Sequence, residues 1–274
     1  MFKRLLKLFI SIVFFIIDYL RNIIRRLFRK TDSGTCVVLL YHVVTPKQRE
    51  MFARQMDDLI KLAKPISIDK NRVLDQGIHH VAVTFDDGYY SFIENALPEL
   101  TQRKIPVTIF VPAGRLGQKP DWLSSNYSHF SGEIVMTSDN LKKLTDEHLV
   151  TVGSHGLTHN DLVHLEEKEI LKEMFESKYT LENILQRNIE LLSFPYGSYT
   201  QRHLEYSRSA GYKHTFGILP TMAFCDPDEY VSGRVDVEPD DFRLEFRLKT
   251  LGAYRWLPIA FSIKRYILSS FRFK

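Results

Sequence analysis

Two adjacent carboxylates end a hydrophobic run in the stretch VAVTFDDGYY at residues 81–90. The apolar residues of this run alternate with smaller ones, which predicts a buried β-strand ending at Asp86 and Asp87. Neighbouring carboxylates repel each other, and their burial is costly unless a cation or hydrogen-bond donors compensate. The pair therefore forms either an ordinary Asp-Asp-Gly turn or a site in which one Asp binds a metal and the other transfers protons.

Two imidazoles follow a later predicted strand. The stretch SHGLTH places His155 and His159 four positions apart, on one side of the chain if the segment forms a helical turn. Taken alone, such a pair is often capping or surface histidine. With Asp87 it forms a set of two His and one carboxylate, which leaves coordination positions open for water and substrate. This set suits a catalytic zinc and also non-haem iron(II).

The elements around these residues would bring them together. Strand and helix patterns alternate about seven times, which predicts a parallel sheet, open or closed into a barrel. The predicted strands cover 36–44, 65–68, 81–85, 107–113, 150–155, 189–197, 213–219 and 231–237. The predicted helices cover 48–63, 91–103, 138–147, 165–186 and 199–210, with Ser138 as the N-cap of the third.

Polar groups stand at the carboxyl ends of four predicted strands. They are His42, the Asp pair, His155 and the Pro-Tyr-Gly turn at 195–197. In parallel α/β folds, ligands and catalytic groups assemble at that edge of the sheet. We therefore expect these groups to converge on one face.

The motifs TFDDG, SHGLTH and FPYG resemble the first three motifs of the polysaccharide deacetylase family, also called carbohydrate esterase family 4. The resemblance covers roughly residues 37–237 and implies an α/β fold, a distorted (β/α) barrel of about seven parallel strands. It also implies metal-dependent hydrolysis of an N-acyl group, acetyl or formyl, from an amino sugar, with metal-bound water as the nucleophile. The branch it indicates is similar to poly-N-acetylglucosamine deacetylases.

The same resemblance implies a role for each residue of the metal site. Asp86 is the expected general base. Asp87, His155 and His159 are the expected ligands of Zn²⁺ or of another divalent transition metal. A base next to the metal, but not bound to it, can take a proton from the activated water.

Three further residues receive roles from the resemblance. Pro195 and the backbone N–H of Tyr196 are expected to bind substrate and the oxyanion. His42, in a pattern like LLYH, is expected to be the general acid. Many relatives carry an Arg two residues before the motif-three proline, where it orients the catalytic Asp. This chain has Ser193 there, and Arg234 in GRVDV is the candidate replacement.

Both ends of the chain are basic and apolar, whereas its middle is acidic. Residues 1–30 and 243–274 each hold eight Lys/Arg and one acid, a charge of +7 each, which leaves −10 for residues 31–242 in a chain of net charge +4. This distribution disfavours a nucleic-acid-binding patch on the middle segment. The sequence also has no glycine-rich phosphate loop, so a nucleotide partner is unsupported.

The first 30 residues predict an amphipathic helix. Its polar stripe consists of Arg4, Lys7, Ser11, Asp18, Asn22, Arg25 and Arg29. We expect this helix to lie in a membrane interface, with the stripe at headgroup level and the apolar side chains in lipid. A spanning anchor and a secretory signal are the alternatives, although the apolar run is about half of the ~20 residues that span a bilayer.

The sequence thus predicts a membrane-interacting helix over 1–30, a catalytic domain over 31–241 and a basic amphipathic segment over 242–274. That last segment either binds membrane or packs on the barrel as a final helix. The predicted partners are an amino-sugar-containing glycan or glycolipid and a membrane surface rich in anionic lipid. The predicted location is the cytoplasmic face of the bacterial inner membrane, with the periplasmic side as an alternative.

Two other functions remain open from the sequence. One is a secreted or periplasmic deacetylase that acts on free polysaccharide. The other is a membrane-anchored, catalytically inactive barrel that binds glycan, which the missing motif-three Arg motivates.

Overall fold

The structure is a computed structural model of the 274-residue chain and describes residues 2–27, 33–68, 73–123 and 132–263. Its strands are β1 (Thr35–Tyr41), β2 (Lys64–Pro65), β3 (His79–Phe85), β4 (Val107–Val111), β5 (Val150–Ser154), β6 (Leu191–Ser193), β7 (His214–Phe216), β8 (Val231–Ser232) and β9 (Val235–Asp236). Its α-helices are α1 (Phe2–Leu27), α2 (Arg49–Leu62), α3 (Leu97–Gln102), α4 (Ser138–Leu144), α5 (Glu167–Leu185), α6 (Gln201–Ser209) and α7 (Arg243–Thr250).

All nine strands pair in parallel in one sheet. The order is β8-β7-β6-β5-β4-β3-β1-β9, with β2 beside β3. The two outermost strands, β8 and β9, are consecutive in the chain and joined only by Gly233 and Arg234. This arrangement confirms the predicted distorted (β/α) barrel. It has one strand more than the eight predicted ranges, because the pattern at 231–237 divides at that two-residue link.

The predicted helices are present, but two of them begin or divide differently from the prediction. The helix predicted at 91–103 divides into a π-helical turn, Phe92–Ala96, and α3, whose Pro98 lies in the first turn, where a missing N–H is tolerated. The predicted N-cap of α4 is wrong by one residue. Thr137 is the cap, because its Oγ1 accepts a hydrogen bond from the Asn140 N–H at 3.2 Å.

Alternation along the strands divides the core into two clusters. Val37 and Leu39 belong to the larger cluster, which includes apolar residues of the surrounding helices. Cys36 and Val38 point the other way and join a smaller cluster that includes Phe110. The sheet is therefore apolar on both faces, and its buried charges gather at the carboxyl edge.

Helix α1 packs against α7 through its polar stripe. Arg4 donates to Glu245 at 2.7 Å, Ser11 accepts from the Trp256 indole N–H at 2.9 Å, and Asp18 pairs with Arg255 at 2.5 Å. The prediction that this stripe lies at headgroup level is wrong for Arg4, Ser11 and Asp18, because partners on the globular part bind them. The Arg25 side chain and Arg29 lie outside the described residues.

The opposite face of α1 is apolar and exposed. It presents Phe2, Leu5, Leu6, Phe9, Val13, Ile16, Ile17, Tyr19, Leu20, Ile23 and Ile24. Residues 257–263 are also helical and expose three large apolar side chains, Ile259, Phe261 and Ile263. Within the described ranges, no helix has both the length and the hydropathy needed to cross a bilayer. Residues 264–274 of the predicted C-terminal segment lie outside these ranges.

Candidate active site

Asp86 follows the last residue of β3, and its carboxylate is held on both oxygens. Arg234 donates one hydrogen bond to each oxygen, both at 2.7 Å, and the Ser193 hydroxyl donates a third at 3.0 Å. Asp86 and Arg234 are buried, at 3% and 0% exposure. Burial opposes ionisation, but the charges of Arg234 and His155 outweigh it and lower the pKa of Asp86. Asp86 is therefore an ionised, oriented carboxylate.

Arg234 reaches Asp86 from the link between β8 and β9. Its guanidinium lies 5.4 Å from the ring centre of Phe110 and 5.9 Å from that of Phe216. It also donates to Ser193 Oγ at 2.7 Å and to the Gly217 carbonyl at 3.2 Å. The planar guanidinium thus fixes the carboxylate by a bidentate contact and is itself held by the barrel wall.

The second carboxylate faces both imidazoles of SHGLTH. Asp87 Oδ1 lies 3.5 Å from His155 Nε2 and 3.0 Å from His159 Nε2, and one donor atom from each residue lies within 4.8 Å of the other two. Metal–ligand distances of about 2.0–2.1 Å place tetrahedral ligands roughly 3.4 Å apart. The three donor atoms therefore lie close enough together to hold a divalent cation such as zinc.

Hydrogen bonding fixes the tautomer of His155. Its Nδ1 lies 2.8 Å from the Ser193 carbonyl, an acceptor, so the proton is on Nδ1 and the Nε2 lone pair points toward Asp87. Burial, reinforced by His159, lowers the pKa of His155 to about 4. The pKa of Asp87 is also lowered, because the effect of the neighbouring histidines outweighs that of burial. Neutral imidazole and ionised carboxylate are the forms that bind metal.

The two histidines come together through a loop, which corrects the expectation of a helical turn. Residues 155–160 are not helical, and Gly156 and His159 have φ values of +75° and +64°. Asp87 has φ +69°. Left-handed backbone at non-glycine residues is strained and tends to concentrate at functional sites. Two of the three candidate ligands therefore occupy conformations that the surrounding structure must impose.

His42 lines the same cleft, which has a volume of about 330 Å³. Burial lowers the pKa of His42, but the nearby acids Asp87, Asp86, Asp236 and Glu238 outweigh it and raise the pKa above its ordinary value. Burial together with Asp236 raises the pKa of Glu238 to about 7. The cleft thus holds, together with the ionised Asp86, a histidine whose pKa its acidic neighbours raise.

Aromatic side chains form the rim around His159. The Trp122 ring stacks on the His159 imidazole at 4.4 Å, and the Tyr196 ring meets it edge-on at 4.9 Å. Pro195 is buried, and Tyr196, with φ +57°, lies within the 3₁₀ turn Pro195–Gly197. Because this turn begins at Pro195, the strand predicted at 189–197 ends at Ser193.

The structure brings all eight residues predicted from the sequence to one edge of the barrel, together with several that the sequence does not predict. Trp122, Asp236 and Glu238 carry no distinguishing sequence pattern. Glu173 of α5 does carry one, since it lies among the apolar positions of the buried face of that helix. A carboxylate on an apolar helical face could have been recognised as a polar contact inside the fold.

Comparison with known proteins gives a consistent result. The family model described as polysaccharide deacetylase matches residues 74–215. The Bacillus subtilis protein YxkH is 27% identical over 159 residues, which are 58% of this chain and 52% of that protein. A poly-β-1,6-N-acetyl-D-glucosamine N-deacetylase of Staphylococcus aureus is 25% identical over 170 residues, covering 59% of this chain and 56% of that protein.

A similar solved structure is IcaB from Ammonifex degensii. It has a TM-score of 0.66 and 25% sequence identity, and the match covers 81% of this chain and 98% of that one. The chain spans about half the length of the curated relatives that it matches.

Proposed function

The chain belongs to the polysaccharide deacetylase family, and we propose that it hydrolyses an N-acyl group, acetyl or formyl, from an amino sugar of a cell-envelope glycan. The observation that carries this proposal is the convergence of Asp87, His155 and His159 beside an Asp86 held by Arg234. The name of the Staphylococcus aureus relative supports an N-acetylated amino-sugar polymer as the substrate class.

Asp87, His155 and His159 would hold a divalent cation, with Zn²⁺ as the first candidate. When bound there, the cation activates water and polarises the acyl carbonyl. Asp86 takes the proton of the water that adds to the acyl carbon, and Arg234 keeps the accepting oxygen in place. Asp86 can do this near neutral pH because its pKa is lowered and its carboxylate is therefore ionised.

The second half of the reaction needs an oxyanion donor and an acid. The backbone N–H of Tyr196, in the turn beside His159, donates to the developing oxyanion. His42 protonates the amine nitrogen as the carbon–nitrogen bond breaks, which releases the free amino sugar and acetate or formate. The raised pKa of His42 supports this role, because the residue must begin the reaction with its proton.

Metal content and product release test the enzymatic proposal together. Purified protein should bind about one ion per chain and release acetate or formate from N-acylated glucosamine oligomers, and His155→Ala should lose both properties. A protein that binds metal but releases no acid from soluble or lipid-linked amino sugars would instead support the inactive glycan-binding barrel.

The finer part of the proposal is that the enzyme works at a membrane surface on lipid-linked sugar. Eleven exposed apolar side chains on α1 support it, since no described residue covers them. Exposed Lys3, Lys7 and Arg21 lie beside this apolar face and suit anionic headgroups. The predicted cytoplasmic sidedness stays a prediction, which protease protection of the intact inner membrane would check.

Vesicle flotation tests the membrane contact. The protein should float with phosphatidylglycerol-containing vesicles more than with phosphatidylcholine alone, and Phe9→Glu with Ile16→Glu should abolish flotation. Val73→Glu, at an apolar side chain 91% exposed and far from α1 in sequence, is the matched control. Faster acid release from soluble oligomer than from lipid-linked sugar would contradict the lipid-linked substrate.

A further inference from the structure

We propose that Glu173 of α5 is a positioning residue that sets the metal affinity of the candidate site by holding the loop between His155 and His159. The inference rests on the proposed function only in that it takes these two histidines as metal ligands. Glu173 itself contacts neither imidazole. Its carboxylate accepts three hydrogen bonds from Leu157 and Thr158, two of the three residues that separate the histidines in the chain.

The carbonyl side of this loop is held by the turn after β4. The Ala113 N–H donates to the Gly156 carbonyl at 3.0 Å, and the Gly114 N–H donates to the Leu157 carbonyl at 2.7 Å. Backbone amides of the loop need their own acceptors, because a buried N–H without a partner is costly. The Gly156 N–H donates to Ser154 Oγ at 3.2 Å, and the N–H groups of Leu157 and Thr158 need acceptors from elsewhere.

Glu173 supplies those acceptors. Its Oε2 accepts from the Leu157 N–H at 2.7 Å and from the Thr158 N–H at 3.0 Å, and its Oε1 accepts from the Thr158 hydroxyl. The side chain is buried, with the residue at 5% exposure. Among the ion pairs formed within the described residues, none includes Glu173. Three donors of one short loop therefore compensate this buried charge.

The loop needs such a clamp because its backbone is strained. Gly156 and His159, at the two ends of the held segment, both have positive φ, and a Cβ at Gly156 would lie only 3.0 Å from Glu173 Oε2. Strained conformations persist when the surroundings over-determine them. Without the carboxylate the loop can relax, and the two Nε2 atoms lose their shared direction toward Asp87.

The test is Glu173→Gln, with zinc affinity measured by chelator competition and the visible spectrum of the Co²⁺-loaded protein as a second readout. The amide keeps the size of the side chain but puts a donor where an acceptor is needed. We expect zinc affinity to fall about 10- to 100-fold, as for other groups that orient metal ligands, and the Co²⁺ bands to change.

Glu182→Gln is the matched control. Glu182 lies on the same helix, and its Oε1 also accepts a backbone hydrogen bond, from the Ile189 N–H at 2.9 Å, remote from the histidines. The zinc affinity of Glu182→Gln should stay within about twofold of wild type, a far smaller change than the loss expected for Glu173→Gln. Equal zinc affinity and equal Co²⁺ spectra in Glu173→Gln and wild type would overturn the proposal, as would equal losses in both variants.

Thr158→Val keeps the inference testable if Glu173→Gln does not fold. It removes only the hydroxyl contact to Glu173, so a smaller loss of affinity and a smaller change in the Co²⁺ spectrum are expected. Wild-type affinity and spectrum in this variant would count against the clamp. These readouts use metal alone, so a wild-type protein that binds zinc but releases no acid would refute the hydrolase and leave the clamp standing.

Discussion

The carboxyl edge of the barrel buries charged side chains, whereas α1 exposes apolar ones. Both regions break the usual rule of apolar inside and polar outside. At the barrel edge the exception is compensated within the chain, since Asp86 has Arg234 and Ser193 as partners. On the outer face of α1, nothing in the described residues compensates it. A buried, compensated exception thus indicates a site built by the chain itself, and an exposed apolar face indicates a binding surface.

Helix α1 contains both situations on its two faces. Its inner face carries Arg4, which binds the buried carboxylates of Glu245 and Asp241 at 2.7 and 3.3 Å. Its outer face carries Phe9, 64% exposed. The contrast between compensated buried charges and exposed apolar side chains can therefore be tested within α1 as well as between α1 and the barrel edge.

The largest effect should come from the barrel edge. Asp86→Asn keeps the shape of the side chain but removes the proton acceptor, so kcat should fall about 10²- to 10⁴-fold while metal content stays unchanged. Acid release from N-acetylglucosamine oligomers and metal analysis of the same sample check this. Glu50→Gln, at a side chain 83% exposed, is the control and should match wild type. Undiminished turnover in Asp86→Asn would remove the general-base role.

Arg234→Met tests whether the buried pair stabilises the fold. Removal of one partner leaves Asp86 buried without its cation, so the free energy of unfolding should fall by about 3–5 kcal/mol. Arg202→Met is the control, because Arg202 pairs with Glu167 and both side chains are more than half exposed, at 61% and 52%. Its loss should stay below about 1 kcal/mol in urea unfolding. Equal losses would show that burial makes no difference.

A smaller effect should come from Glu238. Its pKa is raised from 4.5 to about 7, so the folded state holds a proton that the unfolded state releases between these values, and stability falls as pH rises through 7. At pH 8, Glu238→Gln should therefore be more stable than wild type by about 2 kcal/mol, a value reduced for solvent screening. Near pH 4 the two proteins should unfold alike.

The same substitution has a second readout in catalysis. The charge of Glu238 helps to raise the pKa of His42, so its removal should move the alkaline limb of the kcat profile to lower pH. Stabilisation without any shift of that limb would separate Glu238 from the proposed acid.

The sequence predicted the parts of the site that local pattern controls. Strand-end positions sufficed to gather Asp86, His155 and Tyr196 at one edge, because parallel strands share their direction. The Arg234 contact is harder to predict, because it depends on β8 pairing with β7 and β9 pairing with β1, a long-range arrangement without local pattern. Periodicity identifies the polar face of α1 but not what that face contacts, so it predicts headgroups where the structure has Glu245, Trp256 and Arg255.

The smallest effect on stability should come from the outer face of α1. Phe9→Ser should change the free energy of unfolding by less than about 0.5 kcal/mol, because the Phe9 side chain contacts mainly solvent in the isolated protein. Arg4→Met, on the inner face, should lose about 1–2 kcal/mol, because two buried carboxylates lose a charged donor. Vesicle flotation should reverse this order, with Phe9→Ser the more impaired. A large loss of stability in Phe9→Ser would mean that this face already packs against protein, and a second copy of the chain would then replace lipid as its partner.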